Sequence, residues 1–223
     1  MKLSIGLIAI LLGIGLAFAI SPAGDWNVIS TGRYTSATNA SVTTEGGNVT
    51  NADLNSNTST VKWAGFWGNI TSALVLSPGV GQASLYSWAW APANGGEVCS
   101  VPAASGFDWA NVASVATTDI DTMWGFNVSD ADSAANTLTD SACAITIGGT
   151  PVTTVGNKTG VGGFETCAVS DSATSLKSDF AFCADIASAG TLFNNQTGNY
   201  ELIMPTNNTV GGTETYYAWL DLH

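Results

Sequence analysis

The sequence predicts an all-β protein, a single antiparallel β-sandwich of the Ig-like or jelly-roll-like kind with one or two short helical turns. Three observations carry this. Short segments alternate apolar and polar residues with period two; Gly, Asn, Asp and Pro punctuate them at close intervals; and neither a long 3.6-residue periodicity nor an alternation of strands with helices occurs. About ten strands in roughly 200 residues argue for one domain, 36–223, rather than two.

The elements follow in order. Residues 20–60 are rich in Thr, Ser, Asn and Gly. Within them, β-prone stretches over 40–54 flank Glu45-Gly46-Gly47-Asn48, whose glycines supply the positive φ angles of a tight hairpin. Residues 20–35 precede that hairpin as a leading segment. They are a candidate exchanged strand, able to pair with the sheet edge of a neighbour, or simply the first strand or tail of their own domain. Strands follow at 61–67 and 70–76, then the turn Ser77-Pro78-Gly79-Val80-Gly81, then a strand at 84–90. There Tyr86, Trp88 and Trp90 share one face, the pattern of a half-buried strand. Asp108 can cap a turn in which Trp109, Val112 and Val115 recur at threes, and Asp132 can cap 133–138. The remaining strands are expected at 142–147, 152–155, 163–169, 179–186, 200–204 and 215–222.

Composition narrows the function classes. Asp and Glu number 17 against 5 Lys and Arg, the formal charge is −12, and charged residues make up only 10% of 223. Soluble domains usually hold about 25%. In their place stand 22 Ser, 27 Thr, 17 Asn and 25 Gly. With 45% hydrophobic residues and 8 Trp the chain can bury a core, which excludes global disorder. Scattered cations cannot neutralise a row of phosphates, so no nucleic-acid partner is expected. The single His, His223, argues against His-based catalysis and a His-rich metal site.

The amino terminus reads as a signal peptide. Lys2 precedes an apolar run over 3–20 that closes on Ala17-Phe18-Ala19, so 1–19 is expected to be removed by export. Left uncleaved, this segment would be the only membrane contact. Its removal takes the formal charge from −12 to −13. Cys99, Cys143, Cys167 and Cys183 are even in number and none are spaced C-x-x-C, which points to two disulfides in an oxidising compartment. Of three connectivities, Cys167 with Cys183 is favoured because the two lie on strands flanking a polar turn, leaving Cys99 with Cys143. N-x-[ST] sequons occur at Asn39, Asn48, Asn57, Asn69, Asn127, Asn157, Asn195 and Asn207, where about four would arise by chance, so they are candidate glycan acceptors.

Candidate chemistry is sparse. Asp119 with Asp121, and Asp130 with Asp132, are D-x-D pairs that on a strand would share a face, as a glycosidase needs; solvated loop carboxylates explain them better. No catalytic residue is therefore assigned. An EF-hand beginning at Asp130 fails, because Ala135 stands where the loop requires Gly and no Glu takes the twelfth position. A looser oxygen-ligand site and capping of a short helix by Asp132 both remain; capping is favoured because it needs only one residue, and neither a metal nor a cofactor is assigned. Trp63, Phe66, Trp67, Tyr86, Trp88 and Trp90 can form a sugar-stacking platform, but core packing is the preferred assignment for those facing inward. Trp26 and Tyr34 are harder to place in a core. Lys62 could cross-link to an Asn, although a lone strand Lys usually reaches for solvent.

Three stretches, Glu45-Gly46-Gly47-Asn48-Val49-Thr50, Lys62-Trp63-Ala64-Gly65-Phe66-Trp67-Gly68-Asn69-Ile70-Thr71 and Leu85-Tyr86-Ser87-Trp88, resemble a group of secreted archaeal surface proteins with an all-β domain. The endings Tyr200-Glu201-Leu202-Ile203-Met204-Pro205 and Thr215-Tyr216-Tyr217-Ala218-Trp219-Leu220 are similar too. The resemblance implies location and fold rather than activity. Together these readings lead us to expect a non-catalytic, glycosylated surface protein that self-associates into a filament or sheath, or binds other surface proteins; the alternative is an adhesin or glycan-binding module.

Overall fold

The computed structural model describes residues 20–24, 26–35, 41–53, 55–79, 82–138, 143–158 and 163–223. The signal segment 1–19 and the sequon at Asn39 lie outside the described residues. The strands, in chain order, are β1 Ser21–Pro22, β2 Trp63–Gly68, β3 Ala73–Leu76, β4 Tyr86–Ala89, β5 Gly96–Val101, β6 Ala113–Ser114, β7 Cys143–Ile147, β8 Thr150–Thr154, β9 Gly156–Lys158, β10 Glu165–Ser170, β11 Phe180–Asp185, β12 Gly190–Thr191, β13 Thr197–Gly198, β14 Tyr200–Pro205 and β15 Tyr217–Leu222. Two short helices, α1 Thr117–Trp124 and α2 Ala134–Thr137, interrupt them. The all-β, antiparallel expectation holds.

A seven-stranded sheet organises the molecule, in the order β1, β15, β5, β11, β10, β6, with β9 also on β10. Its middle is buried on both faces: every residue of β5 is buried, and β11 is buried from Phe180 to Ala184. Because side chains alternate along a strand, each face carries its own set. Val98, Ala168, Phe180, Phe182 and Ala184 pack against Tyr200, Leu202 and Met204 of β14 and against Ile120 and Trp124 of α1. Cys99, Val101, Cys167, Val169, Ala181 and Cys183 point the other way and pack beneath the β7–β8 hairpin through Ile145, Ile147 and Val152. Trp124 stands edge-on to Phe180 and Phe182, with ring centroids at 5.4 and 5.7 Å. Full burial of each Phe stabilises the fold by roughly 1.5–3 kcal/mol.

Glycines are required at two places beside this sheet. Gly96 has φ +133, and a Cβ there would lie 2.2 Å from the Asp221 carbonyl oxygen, so only Gly lets β5 and β15 approach. The pair Gly148-Gly149 (φ +57 and +77) turns β7 into β8 as a two-residue hairpin loop.

Elsewhere expectation and structure part. The Glu45–Asn48 turn forms, with Asn48 N–H donating to the Glu45 carbonyl at 3.2 Å, but among the described residues no strand ladder flanks it. The described residues of 41–58 are exposed and offer no apolar face to bury. In the leading segment Ser21 and Pro22 pair with Leu220 and Trp219 at the chain's own sheet edge, where Pro, lacking an N–H, is tolerated. Asp108 caps the 3-10 turn Trp109–Asn111 as expected, accepting from Ala110 N–H at 3.0 Å.

The disulfide pairing is corrected: Cys99 bonds Cys183, and Cys143 bonds Cys167. Cys167 and Cys183 do face each other on β10 and β11, but Cys183 also faces Cys99 on β5. Three cysteines thus lie in a row across one sheet face. Cys143 reaches Cys167 from the hairpin above, over Gly156, where a Cβ would fall 2.8 Å from Cys143 Sγ. Cys99 sits two strands from Cys167, roughly 10 Å away, beyond the span of a disulfide to a residue placed over Cys167. Non-reducing peptide mapping should recover Cys99 with Cys183 and Cys143 with Cys167. Replacing Cys99 and Cys183 together by Ala should lower the unfolding free energy by roughly 2–5 kcal/mol in denaturant titrations.

Candidate functional site

The four acids singled out from sequence all have structural partners. Asp119 and Asp121 lie on α1, where residues two apart point to different sides. Asp119 accepts weakly from Ala116 N–H at 3.4 Å, and buried Asp121 accepts from Ala134 and Ala135 N–H at 2.6 and 3.1 Å. Asp121 therefore holds the first turn of α2. The N-cap of that turn is Ser133, whose Oγ accepts from Asn136 N–H at 3.2 Å, and not Asp132 as expected.

Asp130 and Asp132 instead clasp Lys62. Its Nζ lies 2.9 Å from Asp130 and makes a short hydrogen bond to Asp132, while Thr60 Oγ1 donates to Asp132 at 2.6 Å. Burial by itself would lower the Lys62 pKa, but hydrogen bonds to the two carboxylates outweigh it and raise it. Burial likewise works to raise Asp132, and its bonds from Lys62 and Thr60 win, holding it below the usual carboxyl range. A protonated, doubly paired ammonium is no nucleophile, so this is a salt bridge rather than a cross-linking site.

The aromatic residues divide. Trp90 is buried, and Trp63 and Phe66 are half-buried against the first core face. Trp26 of the leading segment stacks on Phe66 with centroids 5.0 Å apart. Trp67 is exposed and touches Phe193 edge-on at 5.8 Å. Tyr86 and Trp88 do not enter a core. They lie on β4, which among the described residues pairs only with β3, in a two-stranded ribbon. The register sets Leu74 opposite Trp88 and Leu76 opposite Tyr86, so these four share one face, each 45% to 57% exposed. The Tyr86 and Trp88 rings are 4.6 Å apart. No Asp, Glu, Lys, Arg or His occurs between Lys62 and Glu97, so the ribbon carries no charge.

Of the sequon asparagines, Asn48, Asn57, Asn69, Asn127, Asn195 and Asn207 are exposed, and Asn157 is half-buried on β9.

The most unusual polar group was not anticipated. Glu97 on β5 faces Asp221 on β15 and, on its other side, Asp185 on β11. Glu97 and Asp221 are only 6% and 2% exposed. Gly148 N–H donates to Asp221 Oδ2 at 2.6 Å, but Asp221 Oδ1 and Glu97 Oε2 are buried and accept no hydrogen bond. His223 Nε2 stands 3.2 Å from Glu97 Oε2. Burial, reinforced by the charges of Asp221 and Asp185, pushes the Glu97 pKa up to about 8. A cleft of about 310 Å³ opens alongside, lined by Glu97, Asp185, Ile145 and Thr146 among others. The sequence signal for this group is an acid within Gly96–Val101 and another within the largely apolar Tyr217–Leu222, with the one His two residues beyond Asp221, a spacing that keeps both on one side of a strand.

No protein-family model, curated protein or solved structure matches this chain. No helix among the described residues is long and apolar enough to cross a membrane.

Glu97 makes stability depend on pH in a defined direction. Its pKa is raised on folding from the ordinary value of 4.5 to about 8, so its contribution is complete below about 4.5 and is lost as pH rises through about 8. In chelator-treated protein the thermal midpoint should fall by several degrees across that window, and Glu97→Gln should flatten the fall.

Proposed function

We propose that the protein is a non-catalytic, glycosylated surface protein of an archaeal cell, exported by residues 1–19 and working by self-association as a subunit of a filament or sheath. The observation that carries this reading is the β3–β4 ribbon. A two-stranded ribbon has little stability by itself, and this one exposes Leu74, Leu76, Tyr86 and Trp88 on one face and leaves both outer strand edges unpaired among the described residues. The occupant that fits it is a second copy. Two acidic chains repel wherever their carboxylates meet, but the uncharged ribbon can approach its own kind without that cost, adding strand to strand in a self-complementary contact.

Export is supported by the basic-apolar-AxA leader and by the two disulfides, which belong to an oxidising compartment. Glycosylation is supported by six exposed sequon asparagines. The leading segment offers a second route to association, because the strand that Ser21 and Pro22 place on β15 is short enough to be exchanged between copies. The adhesin or glycan-binding alternative rests on the exposed Tyr86–Trp88 pair, whose ring faces suit a sugar.

The mature glycosylated protein should sediment as concentration-dependent oligomers. The triple substitution Leu76→Ser, Tyr86→Ser, Trp88→Ser should leave monomers whose thermal midpoint is within about 3 °C of the parent, since the ribbon contributes no buried core. A parent that stays monomeric at high concentration in sedimentation and electron microscopy would sink the reading. Specific hits on a glycan array, lost in the same variant, would favour the alternative.

A further inference from the structure

We propose that Glu97, Asp221 and His223 bind one divalent transition-metal ion, of the Zn²⁺ class, which clamps β15 onto β5. This inference stands apart from the proposed self-association and survives its failure.

The geometry is that of a ligand set. One donor atom from each of the three residues lies within 4.8 Å of the other two, and Glu97 Oε2 and His223 Nε2 are 3.2 Å apart. Bonds of about 2.0–2.1 Å in a tetrahedral zinc site place neighbouring ligand atoms about 3.3–3.4 Å apart, so only a small closure of Asp221 completes the set. Gly148 N–H fixes Asp221 by Oδ2, leaving Oδ1 to the ion, the outer-shell arrangement that orients a ligating carboxylate.

The second observation is independent of the clustering. Asp221 Oδ1 is buried without a donor, and buried Glu97 Oε2 accepts no hydrogen bond and has only the imidazole of His223 beside it, whereas such oxygens ordinarily find a partner. Among the described side chains Lys62 is engaged with Asp130 and Asp132, and Lys177 with Glu214. His223 can protonate and face Glu97, but one imidazolium does not supply both carboxylates. Asp185, opposite Glu97 in register but outside the ligand set, adds to the negative field that draws a cation.

Ligand type selects the ion. An imidazole nitrogen with two carboxylates suits Zn²⁺ and its first-row neighbours, whereas Ca²⁺ takes six to eight oxygens and Mg²⁺ an octahedron of them. Three protein ligands leave a fourth position for water or an outside donor.

The test uses the mature chain, free of added histidines, after chelation and dialysis. Titration calorimetry should find one Zn²⁺ per chain, and Zn²⁺ should raise the thermal midpoint by several degrees. His223→Ala, at a partly exposed position, should fold normally and weaken Zn²⁺ binding at least tenfold, and Glu97→Gln should weaken it at least a hundredfold. Co²⁺ should give visible d–d absorption in the parent that disappears in His223→Ala. Zn²⁺ affinity unchanged in His223→Ala, the absence of stoichiometric Zn²⁺ binding, or tighter binding of Ca²⁺ than of Zn²⁺ would each overturn the proposal.

Discussion

Burial of the middle of the seven-stranded sheet on both faces is the constraint on which the rest of this structure depends. Along β5, from Thr166 to Ser170 of β10 and from Phe180 to Ala184 of β11 there is no solvent side to receive a polar residue, so each position must be apolar, small or supplied with a partner. The partners tie the layers together. Thr166 Oγ1 accepts from Ile203 N–H at 3.0 Å, joining β14 to the sheet, and Thr154 Oγ1 donates to the Ala168 carbonyl at 2.6 Å while accepting from Val115 N–H at 3.1 Å. On the opposite side of the sheet from β14, sulfur fills the space beneath the hairpin, with four buried cysteines forming one bond within the sheet and one between layers. Glu97 and Asp221 are the places where this rule is broken. That is why they attract chemical interest.

A sheet covered on both faces has nothing left at its centre with which to bind a partner of any size. The proposed self-association would therefore use the margins: the ribbon β3–β4, the short edge strand β1 and the loops. The sequence distributes charge in keeping with this. The run from Trp63 to Gly96, which builds β2, the ribbon and the start of β5, contains no ionisable acid, base or imidazole, whereas acids are spread through the rest of the chain. A neutral arm on an acidic body can meet another neutral arm while the bodies keep their distance, which favours end-to-end or arm-to-arm contacts over random aggregation.

How much was legible in the sequence depended on whether local pattern and tertiary cover agreed. Strands β10, β11, β14 and β15 were read within one or two residues because apolar or β-branched runs ended at turn residues. Strand β5, at the middle of the sheet, was missed: Gly96, Glu97 and Ser100 break its apolar pattern, and its burial comes entirely from neighbours distant in sequence. Helix α1 was missed because Thr117, Thr118 and Thr122 are poor helix formers and Ala116 offers no capping oxygen; its stability comes from packing Ile120 and Trp124 on the core. Period two at Tyr86, Trp88 and Trp90 correctly indicated a strand, but alternation cannot say whether anything covers the face it defines. The cysteine row fails for a related reason. Nearness in sequence favoured Cys167 with Cys183, and only the register of β5 against β11 shows that Cys183 has a second neighbour. The same register sets Glu97 opposite Asp185, and that of β5 against β15 sets it opposite Asp221.

The shortage of cations, visible at once in the composition, acquires a location in the fold. A typical domain meets a buried carboxylate with Arg or Lys, and a misplaced acid can often be tolerated by a side chain swinging in from nearby. Here Lys62 and Lys177 are each committed to carboxylates of their own, Lys62 deep beside Phe126 and Lys177 beside Trp124. Two acids facing each other inside a sheet therefore have three ways to become tolerable: a proton, the imidazole of His223, or an ion from outside. A proton serves only while the pH lies below the raised pKa of Glu97. The imidazole stands against Glu97 and leaves Asp221 Oδ1 unserved. A multivalent cation alone can meet both carboxylates and the imidazole at neutral pH. In a chain this poor in positive charge, the fold's least comfortable polar contact is also the one most readily completed from solution.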